Sequence, residues 1–299
     1  MAKTFWLASY PKSGNTWLRI MLARLDVPGG EPMGVNALVE RGINASVSSL
    51  IEEWLFIDPS LLTHDEADYF RSLACIAIAD RDRMEGTGSP PDDSQTTFVK
   101  VHDAYLMTNR ATPLLGGALG ADGAIVIVRD PRDLVLSLAS HFGRSINYAL
   151  DFLNDTDAAF ASKCDRRDRN LRQRLSDWSG HVESWLDQSD IPVHLVRYEN
   201  MLRDPAASLS AILTFVGREV SVEAIHNAVR DANFSDLQRQ EEKNGFRESP
   251  GLYTGQRFFR AGTAGQWRNT LTREVVARIE AQHGAVMSRL GYARAAEDR

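Results

Sequence analysis

The chain has 299 residues, 43% hydrophobic and 25% charged, enough apolar material for one large α/β domain or two small ones. Its formal net charge of −6, with an isoelectric point near 5.7, argues against a general nucleic-acid binder, so any anion site must be built locally. Cys75 and Cys164 lie far apart without metal-ligand spacing, and no run approaches ~20 continuous apolar residues, so the expectation is a soluble cytoplasmic chain with no disulfide framework.

The first predicted element is a strand over "TFWLAS", ending at Tyr10 and Pro11. A polar loop, "KSGNT", follows, and "TWLRIMLARL" then places Leu18, Met21, Leu22 and Leu25 on one helical face. The same grammar recurs down the chain. "TTFVKVHD" (96–103) has strand composition, and "GAIVIVRDPRDLVLSLASHF" reads as a strand running directly into a helix, with Asp130 at N-cap and Pro131 at N1. "PVHLVRYENMLRDPAASLSAILTFVG" gives another strand, then a helix with Asp204 as N-cap, Pro205 at N1 and Gly217 at C′. The last helix starts near Thr272, turns Val275, Val276, Ile279, Val286 and Leu290 inward, and is closed by Gly291. Strands this apolar, alternating with helices, predict an α/β fold with a central parallel sheet covered on both faces, in a single domain over 1–299.

Between these units, 84–95 reads as a surface loop, 155–175 as a solvated, mixed-charge helix face, and 240–262 as either a lid or a plain surface loop. His141 and His181 fall on predicted helices and are read as ordinary. Trp54, Trp178 and Trp185 are expected in the core.

The opening loop carries the chemistry. A strand-to-helix loop in a parallel sheet sits at the carboxyl end of the strands, where its amides meet the positive end of the next helix. Lys12 adds a full charge there, Ser13, Asn15 and Thr16 add donors, Gly14 lets backbone approach closely, and Trp17 offers a flat stacking surface. A nucleotide-triphosphate P-loop needs a Gly immediately before its Lys; Pro11 stands in that place. A second anion site follows at Arg129, the first residue after its strand, with Ser137 two turns into the next helix. Taken alone, the loop could be an unliganded polar turn, and Arg129 could pair with Asp130 or Asp133.

"YPKSGNTW" and "VRDPRDLVLS" resemble the 5′- and 3′-phosphosulfate-binding motifs of sulfotransferases that use 3′-phosphoadenosine 5′-phosphosulfate (PAPS). "FVKVHD", "VRYENMLRDP" and "FFRAGTAGQWRN" resemble further family segments in the family's order, and the five together span residues 8–269. The resemblance implies a P-loop-like sulfotransferase fold with PAPS as cofactor, adenosine 3′,5′-bisphosphate (PAP) as product, and no metal requirement. By matching positions, Lys12 to Thr16 hold the 5′-phosphosulfate, Trp17 and Phe234 stack on adenine, and Tyr198 contacts it. Arg129, Ser137, Arg260, Ala261 and Gly262 take the 3′-phosphate. Asn15, Val101, Ala232 and Ala261 depart from the family pattern, and the last three remove polar contacts. The short start before the first motif is similar to bacterial enzymes that tailor natural products.

Sulfuryl transfer needs a base for the acceptor and stabilisation of the leaving phosphate. His102 is the expected base. Lys12 is expected to neutralise the bridging oxygen, the resemblance implies that Ser137 restrains Lys12, and Lys100, on the same face of its strand as His102, is expected to add positive charge. The acceptor, a small molecule bearing a hydroxyl, phenol or amine, is expected in the stretches 30–95, 142–175 and 240–258, whose composition selects no particular compound. The alternatives are an ATP-dependent small-molecule kinase of related topology and a non-catalytic PAPS- or PAP-binding protein. No short K-x-x-x-T-V dimerisation pattern is found near the C-terminus, which leaves the oligomeric state, homodimer included, open.

Overall fold

A computed structural model of the chain describes residues 2–27, 34–36, 43–85, 96–162, 170–248 and 257–295. In chain order these form β1 (Lys3–Ser9), α1 (Asn15–Leu25), β2 (Ile43–Asn44), α2 (Ser49–Leu55), α3 (His64–Glu85), β3 (Thr96–Val101) and α4 (Gly117–Gly120). Next come β4 (Gly123–Val128), α5 (Pro131–Phe142), α6 (Ile146–Leu153), β5 (Ala159–Phe160), β6 (Gln173–Arg174), α7 (Trp178–Leu186) and β7 (Val193–Arg197). The described chain closes with α8 (Tyr198–Arg203), α9 (Pro205–Val216), α10 (Val222–Asp231), α11 (Phe234–Asn244), α12 (Trp267–Thr270) and α13 (Arg273–Arg289).

Five strands make one parallel sheet in the order β2-β3-β1-β4-β7. Strand β1 is central because it is buried on both faces: Trp6 and Ala8 enter one core, Phe5 and Leu7 the other. Its register runs Lys3↔Thr96 to Ala8↔Val101 against β3, and Phe5↔Gly123 to Ser9↔Ile127 against β4. The first core takes Cys75 and Ile78 of α3, Leu134 and Leu138 of α5, Trp178 and Trp185 of α7, and Ile279 and Met287 of α13. The second takes Leu18, Met21 and Leu22 of α1, Leu209 and Ile212 of α9, and Ile225 of α10. Each such side chain, fully buried, contributes roughly 1.5–3 kcal/mol, so the sheet is held from both sides.

The predicted helix signals operate as read. Asp130 accepts from the Arg132 amide at the start of α5, Asp204 from the Ala207 amide at α9, and Thr272 from the Val275 amide at α13. Because the chain moves from β1 out to β3 and then crosses back to β4, β1 lies at a topological switch point. The loops after β1, β3 and β4 therefore converge at one end of the sheet.

In the described residues of 155–175 the expected solvated helix does not form. These residues make the antiparallel pair β5–β6, with Leu171, Gln173 and Leu175 buried. Arg172 and Arg174 are paired across the fold. Arg172 reaches Asp65 and Asp68 at 2.8 and 2.6 Å, and the Arg174 amide donates to Asp103 at 2.8 Å. The surface loop expected at 84–95 lies outside the described residues from 86 on, as do Cys164 and residues 249–256 of the expected lid; residues 240–244 belong to α11. Among the described residues no helix is long and apolar enough to cross a membrane.

Candidate active site

The loop after β1 turns through two positive φ values, 72° at Lys12 and 104° at Gly14. Gly14 is required twice over, since a Cβ there would lie 2.6 Å from the Tyr198 ring. Helix α1 begins at Asn15 with no side-chain cap, so no side chain closes its N-terminal amides at the positive end of the helix, although the Trp17 amide donates to the Gly14 carbonyl at 3.1 Å. Lys12, Thr16 and Trp17 line the cleft in front of this turn. The Trp17 indole N–H donates to the Ala232 carbonyl at 2.9 Å, and its ring meets Tyr198 edge-on at 6.3 Å.

Two donors expected in this loop do not face a ligand as read. Ser13 is fully buried and is not among the cleft-lining residues. Asn15 lines the cleft, but its amide group donates to the Leu7 carbonyl at 2.8 Å and to the Ser9 hydroxyl at 3.2 Å. Its side-chain donors brace the end of β1 instead of serving a ligand.

Arg129, at the end of β4, pairs with neither Asp130 nor Asp133. It donates to the carbonyls of Lys12 and Thr263 at 3.1 and 3.2 Å and lies 4.4 Å from the Tyr198 ring centroid. Its Nε is buried with no partner among the described residues. Asp130 is committed to the α5 cap and to Arg132, and Asp133 accepts from the Gly265 and Trp267 amides. The start of α5 is thus closed by its own Asp130. Charge for an anion at this strand end comes from the Arg129 side chain, with the helix dipole secondary.

Lys100 and His102 project into the same cleft from β3 and its end. His102 Nδ1 sits 2.8 Å from the Ser9 backbone oxygen. A carbonyl only accepts, so Nδ1 is assigned the ring proton and Nε2 is left as the basic nitrogen. Burial, with the Lys100 ammonium second, holds the imidazole well below its ordinary value, so it is neutral at physiological pH. The backbone behind it is fixed by buried partners. Arg71 binds both Asp103 carboxylate oxygens at 2.9 and 3.2 Å, Trp185 donates to the Asp103 carbonyl, and His181 contacts the His102 carbonyl at 3.2 Å.

The opposite wall is aromatic and cationic. Phe234, Phe258, Phe259, Arg260, Ala261 and Gly262 line it, with Tyr198 and Ser137 nearby on the same cleft. The Lys12 ammonium lies 3.7 Å over the Phe258 ring. Burial pulls Lys12 down to about 7, helped by Arg129, Lys100 and Arg260 and opposed by Glu241. Arg260 is also lowered, by burial and by Arg129. Gly262 has φ 61°, and a Cβ there would meet the Phe234 ring at 2.6 Å. Gly262→Ala is therefore expected to weaken nucleotide binding about tenfold by displacing that ring, while its left-handed strain of ~1–2 kcal/mol lowers stability. Calorimetric titration checks this, and a melting curve separates it from unfolding.

The whole cleft measures about 1020 Å³. Every site residue expected from the sequence lines it except Ser13. Trp178 and Trp185 are core residues, whereas Trp54 is only half-buried and lines the cleft, with Arg81 4.9 Å from its ring. His141, read as ordinary, is also on the cleft wall, pushed down to about 4 by burial. Arg19, Glu248 and Phe258 were not among the expected site residues. Arg19 could have been found, since it stands four residues after Asn15 and shares its helical face.

A parallel sheet with cationic loops at three adjacent strand ends and a neutral imidazole between them is the architecture of a P-loop-like group-transfer protein. The sulfotransferase domain family matches residues 123–291, more than half of the chain, and the chain belongs to that family. It is 24% identical over 287 residues to flavonol 3-sulfotransferase of Flaveria bidentis, covering 92% of this chain and 78% of that protein. It is 22% identical over 286 residues to cytosolic sulfotransferase 17 of Arabidopsis thaliana, covering 92% and 72%. Among solved structures, mouse sulfotransferase SULT7A1 complexed with PAP aligns with a TM-score of 0.56 at 18% identity, over 96% of this chain and 85% of that one. Retinol dehydratase in complex with androsterone and PAP aligns equally well, 0.56 at 19% identity, over 95% and 80%. The family match takes in Arg129, Ser137, Tyr198, Phe234 and Arg260 to Gly262. Lys12, Lys100 and His102 precede it, and the alignments to these relatives, at 92% of the chain, take in Lys100 and His102.

Proposed function

We propose that the chain moves the sulfuryl group of PAPS to a hydroxyl, phenol or amine of a small-molecule acceptor, a natural product among the candidates. The observation that carries the reading is the crowding of Lys12, Lys100, Arg129 and Arg260 in one cleft, where Arg129 and Lys100 both depress Lys12 and Arg129 depresses Arg260. Cations set against one another in this way are relieved by a multiply charged anion. The Arg129 Nε, with no partner among the described residues, and the uncapped start of α1 fit phosphate oxygens, and Trp17, Tyr198 and Phe234 fit the adenine. In this reading the loop from Lys12 to Thr16, acting through its amides, Lys12 and Thr16, holds the 5′ end, and Arg129, Ser137 and Arg260 to Gly262 hold the 3′-phosphate.

When bound, PAPS supplies an activated sulfuryl group. His102 Nε2 takes the acceptor proton, and its neutrality is maintained by burial and Lys100. Lys12 supplies positive charge toward the leaving oxygen, and Ser137 restrains it. Ile43, Val47, Trp54 and Phe160 also line the cleft and suit an apolar or aromatic acceptor body. The cytosolic relatives support a cytoplasmic location, and the central sheet with a core on each face supports a single domain.

Titration with PAP in the absence of divalent metal, beside ATP–Mg²⁺, tests the cofactor. Tight PAP binding with weak ATP binding is expected. The reverse preference overturns the reading in favour of a kinase.

A further inference from the structure

Glu248 occupies an unexpected place for an acidic residue, inside a cleft that gathers cations. Its carboxylate accepts two hydrogen bonds from Arg19 Nη1, at 2.9 and 3.0 Å, and one from Lys100 Nζ at 3.2 Å. All three side chains are largely withdrawn from water, at 5% exposure for Arg19, 14% for Lys100 and 16% for Glu248. They come from three separate elements. Arg19 is on α1, the helix that the Lys12 loop opens; Lys100 is on β3, two residues before His102; Glu248 is in the segment after α11.

We infer that Glu248 is a positioning residue, whose carboxylate holds the Lys100 ammonium in place beside His102 and ties the segment after α11 to α1 and β3. The electrostatics agree with the geometry. Burial opposes the charge on Lys100, with Arg19 acting in the same direction, and the Glu248 carboxylate is the group that restores it. Lys100 and Arg19 in turn hold Glu248 below the usual carboxylate range, so the ion pair is maintained from both sides. One carboxylate facing two cations leaves a surplus positive charge. That surplus acts on His102 and His141 and on Lys12, all of which Lys100 holds down. Glu241 of α11 opposes it at Lys12, and Arg247 shares the cleft wall with Glu248. Glu248 thus reaches the candidate base through Lys100, from outside the motifs that carry the family resemblance. Only the catalytic meaning of Lys100 and His102 rests on the sulfotransferase reading.

The test uses the full chain labelled with ¹³C-lysine, whose five lysines are assigned by single substitution, and follows each Cε–Hε signal against pH. Glu248→Gln should bring the Lys100 titration about 1 to 3 pH units lower, the effect of losing one close counter-ion, and leave Lys3 in place. Glu248→Asp, which keeps the charge, should restore most of it. An unchanged Lys100 titration in Glu248→Gln overturns the inference, and so does an equal displacement in both variants, which marks a purely structural contact. Melting curves verify that each variant is folded. PAP binding by the unsubstituted chain decides the sulfotransferase reading separately, so failure of one is not failure of the other.

Discussion

His102→Ala is expected to lower sulfuryl transfer by roughly 10²- to 10⁴-fold, the span of a positioned acid–base group, while PAP binds as it does to the parent chain. The two results separate because His102 carries no charge toward the cofactor. Burial and Lys100 keep it neutral, and its Nδ1–H is spent on the Ser9 carbonyl. The pH dependence has a definite sign. A base must be unprotonated, so activity is present above the His102 value and lost as pH falls through it. Because that value is depressed, the acid limb of kcat/KM belongs well below pH 6.5, the ordinary value. Initial rates of transfer to a phenol, measured across pH for both proteins, check this. Undiminished turnover in His102→Ala would move the base elsewhere, and His141, on the same cleft wall, is the next imidazole to examine.

The sheet was legible because its signals are local. Strand composition, the Asp130 and Asp204 caps and the glycines at 217 and 291 each act within a few residues, and the elements they mark formed. The same holds for Lys12, Arg129 and His102, since a residue just past an apolar strand in a parallel sheet has little choice of position. What stayed illegible depends on partners distant in the chain. The charges of 155–175 suggested a wet helix because nothing nearby announces that Asp68 and Asp103 wait to pair with Arg172 and the Arg174 amide. Asn15 looked like a ligand donor until the Leu7 carbonyl and Ser9 hydroxyl claimed its amide. Trp54 shares helical spacing with nothing that marks it as cleft-facing, and Glu248 is fixed by residues 229 and 148 positions away in sequence.

Lys12→Met is expected to abolish a proton uptake that accompanies cofactor binding. In the free protein Lys12 is pulled down to about 7, by burial first and then by Arg129, Lys100 and Arg260. An anionic ligand favours the ammonium, so the bound value is higher. Near pH 6 Lys12 is charged in both states and takes up no proton. Near pH 8 it is mostly neutral when free and charged when bound, and uptake approaches one proton per site. PAP affinity from this source is greatest below about pH 7 and falls as pH rises toward the bound value, by at most tenfold per pH unit. Calorimetry near pH 8 in buffers of different ionisation enthalpy measures the uptake directly. The ligand's phosphates titrate near 6 and contribute equally to both proteins, so the difference between parent and variant belongs to Lys12. The free protein should respond too. Between about 7 and the ordinary lysine value the unfolded chain binds the extra proton, so the cost of burying a charged Lys12 is full below about pH 7 and fades above it. Lys12→Met should therefore raise the melting temperature more near pH 6 than near pH 9. Equal proton uptake in both proteins, or a stabilisation that ignores pH, would mean that the Lys12 ammonium is not held at the anion site.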